Sequence, residues 1–222
     1  YDGRVIKIPA EVITEDVRNL VAAGMTHLTF IDADWFSPRH YGIEILTELH
    51  KQHPELTFDI TTRVDHIIEN ESRMDQLRGL NVRIITSALE FPRESVLKIF
   101  NKQVTVADTE KAIRIMKASG IMLNPTFIMY NPWAGIQDIE YFQEWIDRVD
   151  LRNDIDPIQF ETRLSLYKGS PLLLTDEIKN VSLTEHDFHY DWMHSDPWVD
   201  ELYQASVTPA EEGVFKRCCL KC

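Results

Sequence analysis

Cys218, Cys219 and Cys222 are the only cysteines of the chain, and all three fall within its last five residues. On one helical turn Cys218 and Cys222 stand at i and i+4, and Cys219 and Cys222 at i and i+3, so their sulfurs can converge. Lys216, Arg217 and Lys221 flank them and favour the thiolate form. Three convergent thiolates suit a soft, thiophilic centre. Structural zinc would want a fourth ligand, which His186, His189 or His194 could supply. An auxiliary iron–sulfur cluster with an open iron is a second reading. Trivalent arsenic fits better still, being pyramidal with three sulfurs and a lone pair in the fourth position. The bland alternative is a free or accidentally clustered thiol tail.

Other polar residues recur at the ends of strand-like runs, as in Asp32-Ala33-Asp34, Arg63-Val64-Asp65 and Asn131-Pro132. The elements that position them alternate between helix and strand patterns. Val12 to Ala22 has the apolar spacing of an amphipathic helix and is stopped by Gly24; His27 to Ile31 then reads as a short buried strand. Helices are expected over 38–52, 73–80, 108–119 and 136–149, and strands over 57–62, 82–87, 121–129 and 158–164. Five strands separated by helices imply parallel pairing with right-handed crossovers. In barrels of this kind the chemistry sits at the C-terminal ends of the strands.

The expected domain is residues 1–174, followed by a tail of residues 175–222 in which the alternation stops. That tail is rich in His, Asp and Trp, and short helices and loops packing over the barrel mouth are expected there. Its Trp192, Trp198, Tyr190 and Tyr203 read as packing residues.

Charge narrows the function. With 36 acidic and 23 basic residues the formal net charge is −13, a surface that repels a phosphate backbone, so a small-molecule partner is expected rather than a nucleic acid. The sequence contains no run of about 18 apolar residues and no apolar signal region after Tyr1-Asp2-Gly3-Arg4, so neither a membrane span nor secretion is expected. Three crowded cysteines do not make a secreted disulfide framework, and a reducing, cytoplasmic setting is the expectation.

Residues 24–36, from Gly24-Met25-Thr26-His27 through Asp32-Ala33-Asp34-Trp35-Phe36, resemble the second strand of the radical S-adenosylmethionine (SAM) enzymes. Ile84 to Phe91, with Glu90, resembles that family's fourth strand, and Ser95 to Lys102 is close to its recurrent helix ending in Asn-Lys. Lys117 to Ile121 and the strand to Met129 are similar to the fifth unit, and Leu166 to Leu172 to the turn after the sixth. The resemblance covers roughly residues 4–174, with each piece weak and the order of the set strong. It implies an α/β fold, a partial (β/α)6 TIM-like barrel lacking its first strand and cluster loop in this chain. The family's Cys-x3-Cys-x2-Cys loop, which holds a [4Fe–4S] cluster, should precede Tyr1. Cys219 and Cys222 have the x2 spacing, but Phe215 stands where the first cysteine would be. After the fifth strand Tyr130-Asn131-Pro132-Trp133-Ala134-Gly135 departs from the family's Gly-x-Pro-Gly-Glu, so the backbone contact to adenine is expected to differ.

By position, the resemblance places Asp32 and Asp34 at the methionine end of SAM, where an amino group needs an acceptor. Arg63 would pair bidentately with the SAM carboxylate, and Ser87 and Glu90 would contact the ribose or amino group. Asn124 and Thr126 lie on the fifth strand, of which at most one parity faces the barrel interior. Rim salt bridges are the plain alternative for all these charges, and no catalytic residue is assigned. Arg217-Cys218-Cys219-Leu220-Lys221-Cys222 at the end of such a barrel resembles the arsinothricin-biosynthesis enzymes of the ArsL type. That implies transfer of the 3-amino-3-carboxypropyl group of SAM to arsenite held by the cysteines, giving hydroxyarsinothricin, with a flavodoxin or ferredoxin as reductant. Two other readings compete with it. One is a generic radical SAM enzyme forming a 5′-deoxyadenosyl radical, with the cysteines on an auxiliary cluster or metal. The other is an arsenite or metal sensor or carrier on a degenerate barrel.

Overall fold

Short runs rich in β-branched and aromatic residues, each followed by an amphipathic helix, build one parallel sheet. The computed structural model describes residues 6–37 and 40–208. Strands β1 (His27–Thr29), β2 (Thr57–Thr61), β3 (Val82–Glu90) and β4 (Met122–Phe127) lie in the order β1-β2-β3-β4, all parallel. Helix α1 (Ala10–Ala22) leads into β1, and α2 (Tyr41–Gln52) connects β1 to β2. Helices α3 (Val64–Glu69) and α4 (Met74–Gly79) connect β2 to β3. Next come α5 (Glu94–Ile99) and α6 (Val106–Ser119) before β4, and α7 (Ile136–Arg148) after it. Strands that pair in chain order with a helical crossover at each step form an arc of a TIM-like barrel.

The period-2 alternation of the strands separates two faces. Phe58 and Ile60 of β2, Ile85 and Leu89 of β3, and Leu123 and Phe127 of β4 are buried in one core with Leu46, Leu49, Ile67, Leu77, Phe142 and Trp145 of the helices. Each such side chain contributes roughly 1.5–3 kcal/mol over leaving it exposed. The other parity, with Thr57, Asp59, Thr61, Thr86, Asn124 and Thr126, stays half-buried and polar, and it forms the concave face of the arc. Helix α6 shows how local sequence fixes an element. The Thr105 hydroxyl accepts from the Asp108 amide at 3.1 Å, the Asp108 carboxylate accepts from the Thr105 amide at 2.9 Å, and Gly120 closes the helix at φ 70°. Glycine is the residue that adopts that conformation without steric cost.

Several expectations need correction. Strand β1 stops at Thr29, with Ile31 beyond it fully exposed rather than buried, and Trp198 is largely exposed rather than packed. Three more concern whole elements. No strand spans 158–164: Pro157–Phe160 is a 3-10 turn, and Tyr130 and Arg163 make a single parallel bridge beside β4. Asp156 caps the Ile158 amide at 3.1 Å with Pro157 at the first position, and Gln159 Oε1 accepts from the Phe127 amide at 2.9 Å in place of a backbone carbonyl. Pro157 and that side-chain cap nucleate a turn where the apolar residues alone read as a strand. Second, α3 follows β2 directly, where no helix was expected. Third, the segment after 174 is not only short helices and loops. Strands β5 (Leu166–Tyr167), β6 (Ser182–Glu185) and β7 (His189–Met193) form an antiparallel sheet in the order β5-β7-β6, followed by α8 (Pro197–Val207). Trp192 and Val199 of this part join the main core. Arg163 ties the two sheets. Its guanidinium lies 3.6 Å from the Trp192 ring centroid, reaches Asp200 at 2.9 Å and donates to the Trp192 carbonyl at 2.7 Å. No helix among the described residues is long and apolar enough to cross a membrane.

Candidate functional site: the C-terminal rim of the parallel sheet

Because the four strands are parallel, their C-terminal ends share one rim, and the loops that leave it are stitched together by backbone bonds. The Trp35 amide donates to the Thr61 carbonyl at 2.8 Å, Thr62 to Thr86 at 3.0 Å, and Ile128 to Glu90 at 2.8 Å. After β1 the chain brings Asp34 over the end of β2. There the carboxylate accepts from the buried Thr62 hydroxyl at 2.8 Å and contacts His66 Nδ1 at 2.8 Å. Trp35 beside it is buried against Phe30, with ring centroids 4.5 Å apart, and it packs over Gly42, where a Cβ would lie 2.5 Å from the indole. Gly42 is therefore what lets α2 approach the loop that carries Asp34.

Arg63 follows β2 and is more than half exposed. It forks onto Asp65 with bonds of 3.0 and 2.6 Å. Donating these hydrogen bonds to Asp65, more than the Asp65 charge, raises the Arg63 pKa. Burial pushes the Asp65 carboxyl up, but the Arg63 bond and charge together with His66 outweigh it and leave its pKa below the usual carboxylate range. A carboxylate ligand at Arg63 would have to displace Asp65.

Glu90 ends β3 at a register shift and holds a left-handed φ of 63°. Its carboxylate is nearly buried and pairs with Lys102 at 2.5 Å. A non-glycine residue in that conformation costs roughly 1–2 kcal/mol, and such strain concentrates at functional sites. At the end of β4, burial raises the Tyr130 hydroxyl pKa against the opposing hydrogen bond of Ser206. Beyond it the buried Asn131 folds the loop by accepting from the Trp133 amide at 3.1 Å.

The rim gathers Asp34, Arg63 and Glu90. Asp32 is exposed and lines a different recess, a cavity of about 270 Å³ walled by Ile6, Ile8, Phe30, Trp35 and Tyr41. Asn124 and Thr126 share a parity on the concave face, and Asn124 Nδ2 donates to Thr86 Oγ1 at 3.1 Å. Ser87 has the opposite parity: it is fully buried with Ile85 and Leu89 on the helix-facing side, and its hydroxyl has no hydrogen-bond partner among the described residues. Cys218, Cys219 and Cys222 lie outside the described residues.

Several polar groups went unsingled in the sequence. Thr62 and His66 support Asp34, and Lys102 neutralises Glu90. On the concave face His27 pairs with Asp59 at 3.0 Å and with Thr57 at 2.7 Å, while the other Asp59 oxygen is buried without a hydrogen-bond partner among the described residues. The polar i,i+2 pattern of Thr57-Phe58-Asp59-Ile60-Thr61 is the signal that could have revealed this lining.

Among solved structures, the chain is similar to OxsB, described as a cobalamin-dependent SAM radical enzyme. With SAM and aqua-cobalamin bound, that structure gives a TM-score of 0.71 at 14% identity over 89% of this chain and 36% of that one. The chain has the fold of a radical SAM barrel. A second similar structure is the radical SAM methyltransferase TsrM of Kitasatospora setae, with a TM-score of 0.56 at 14% identity over 65% of this chain and 29% of that one. Elp3 of the archaeon Methanocaldococcus infernus gives 0.58 at 14% identity, over 90% of this chain and 50% of that one. The chain thus spans about a third of OxsB, 36%, and its four strands and one bridge are part of such a barrel. No family model and no curated protein matches the sequence.

Proposed function

We propose that this chain is part of a radical SAM enzyme, contributing the greater part of its barrel, and binds SAM across the rim of its parallel strands. The observation that carries this reading is the pair of rim carboxylates, Asp34 and Glu90. Both are held away from bulk water, and one sits in a strained conformation at the strand ends of this fold. Asp34 would accept from the SAM amino group by giving up its His66 contact, while Thr62 keeps the carboxylate oriented. Arg63 would take the SAM carboxylate in place of Asp65, because its planar fork matches two oxygens at once. Asn124 and Thr126 would face the bound molecule from the concave wall. Ser87 would reach it only through a rearrangement of β3, and Asp32 only from the neighbouring recess.

No cysteine lies among the described residues, so they offer a [4Fe–4S] cluster none of the thiolates it needs. The ligands that the resemblance implies belong upstream of Tyr1. What the described residues contribute is binding, orientation and exclusion of water.

The specific reaction we infer is transfer of the 3-amino-3-carboxypropyl group to trivalent arsenic held by Cys218, Cys219 and Cys222. Its support is the Arg-Cys-Cys-Leu-Lys-Cys ending. The bond from the SAM sulfur to the γ-carbon breaks, and a carbon–arsenic bond forms. The sulfur leaves in 5′-methylthioadenosine, and the arsenic lone pair supplies the new bond. Arsenic thus passes from +3 to +5 as the SAM carbon–sulfur bond is reductively cleaved, and the overall transfer consumes no net reductant. Water then replaces the three thiolates, releasing the arsonic acid, a proton and three thiols. The test uses full-length protein, reconstituted anaerobically and given SAM, reductant and arsenite, with products followed by mass spectrometry. Methylthioadenosine together with an arsenic-bearing amino acid, both lost in the triple Cys→Ser variant, is the expected result. Deoxyadenosine alone would replace the arsenic reaction with the generic radical reading. Full activity in the triple variant would remove the cysteines from the reaction.

A further inference from the structure

The hairpin of β6 and β7 carries a group of side chains that the barrel site does not use. His189 and Asp191 are two apart on β7 and project from one face of the strand. The turn that precedes them is closed by the His186 amide donating to the His189 carbonyl at 2.9 Å. That turn brings the His186 ring over the His189 ring, nearly parallel at 12° with centroids 4.8 Å apart. Both imidazoles aim Nε2 at the same carboxylate, His186 at 2.9 Å from one Asp191 oxygen and His189 at 3.4 Å from the other. One ligand atom from each residue lies within 4.8 Å of the other two.

We propose that His186, His189 and Asp191 form a binding site for a single divalent cation of borderline softness, of which zinc is the type. Imidazole nitrogen and carboxylate oxygen are donors that such ions prefer over the harder magnesium and calcium. An ion about 2.0–2.2 Å from each ligand sets donor atoms roughly 3.0–3.5 Å apart. Each nitrogen already lies at 2.9 or 3.4 Å from a different Asp191 oxygen, and side-chain rotations within the 4.8 Å cluster would bring one donor from each residue onto a common ion. The ion would take the place of the two protons that hydrogen bonding to Asp191 otherwise requires. All three side chains are substantially exposed, so the ion reaches the site from solvent and its remaining positions stay open to water. The local sequence adds one more acidic residue, Asp187, in the turn. Bound there, the ion clamps the turn at 186–188 to β7. The site stands on its own geometry and is independent of the SAM reading.

The experiment is calorimetric titration of the full chain with zinc chloride in a Cys218→Ser, Cys219→Ser, Cys222→Ser background, so that the thiols take up no metal. Cobalt(II) absorption serves as a second readout of nitrogen and oxygen coordination. The expected result is one saturable site per chain, with affinity lowered at least about tenfold by His189→Gln or His186→Gln. Zinc should also raise the midpoint of thermal unfolding in the parent and not in the His189→Gln variant, because an ion that binds only the folded state stabilises it by mass action. Absence of saturable uptake below about 100 µM zinc, or uptake unchanged by both histidine substitutions, would overturn the proposal.

Discussion

Replacing Glu90 by glycine and by alanine separates the strain at this position from its charge. Both substitutions remove the pair with Lys102, so whatever that pair contributes cancels between them. What remains is the backbone, at φ 63°. Alanine carries the left-handed penalty of roughly 1–2 kcal/mol, whereas glycine does not. Glycine instead loses about 0.4–1 kcal/mol through its freer unfolded chain. The balance leaves Glu90→Gly ahead of Glu90→Ala by about 0.5–1 kcal/mol, although glycine within a strand ordinarily loses to alanine. With a urea slope of about 2 kcal/mol per molar, the midpoint of Glu90→Gly should lie roughly 0.3–0.5 M above that of Glu90→Ala. Equal midpoints, or alanine the more stable, would mean that the strand end is not held in the left-handed region and that the strain assigned to the rim is absent.

Other perturbations probe the core, the caps and the rim. Phe142 is fully buried against Phe91, Phe127, Trp145 and Phe160, so Phe142→Ala should cost about 3–5 kcal/mol in equilibrium unfolding. Gly42→Ala would place a methyl 2.5 Å from the Trp35 ring; a loss of about 1–3 kcal/mol and a shifted tryptophan emission are expected. Removing the α6 cap with Thr105→Ala should cost about 1 kcal/mol by the same unfolding assay. The Asp65 pKa is depressed in the folded state, so its stabilising contribution is present above the ordinary carboxylate pKa and is lost as pH falls through the folded value. Asp65→Asn should therefore flatten the acid limb of the stability profile, and an unchanged limb would remove that pair from the acid response.

The parallel part of the fold was legible because its signals are local and agree with one another. Gly24 and Gly120 mark helix ends, and apolar spacing separates the helices from the short strand runs, although the Thr105 cap that starts α6 two residues before the expected 108 was not read. The 158–164 segment misled because apolar content does not reveal that Asp156 and Pro157 begin a turn, nor that a Gln159 side chain replaces a strand carbonyl. The antiparallel hairpin hid for a related reason: His186 to Tyr190 is too polar to read as strand, and its pairing is set by contacts with β5 and by Trp192 in the core. At the rim, residue type and position pointed to Asp34, Arg63 and Glu90 but not to their partners. Thr62, His66 and Lys102 approach only through the tertiary fold, 28, 32 and 12 positions away from the groups they contact. The opposite parities of Ser87 and Asn124 follow from the strand registers, which pair Thr86 with Asn124 and Ser87 with Pro125.

Binding of SAM at the strand rim can be followed by equilibrium dialysis of labelled SAM against the full-length protein. Asp34→Ala and Arg63→Ala should each weaken binding by about tenfold or more, the order expected when a charged group loses its partner. His189→Gln, far along the chain on the antiparallel hairpin, should leave it unchanged, and circular dichroism should show all three variants folded. Equal affinity in wild type, Asp34→Ala and Arg63→Ala would contradict the account and move the search for the binding site away from this rim.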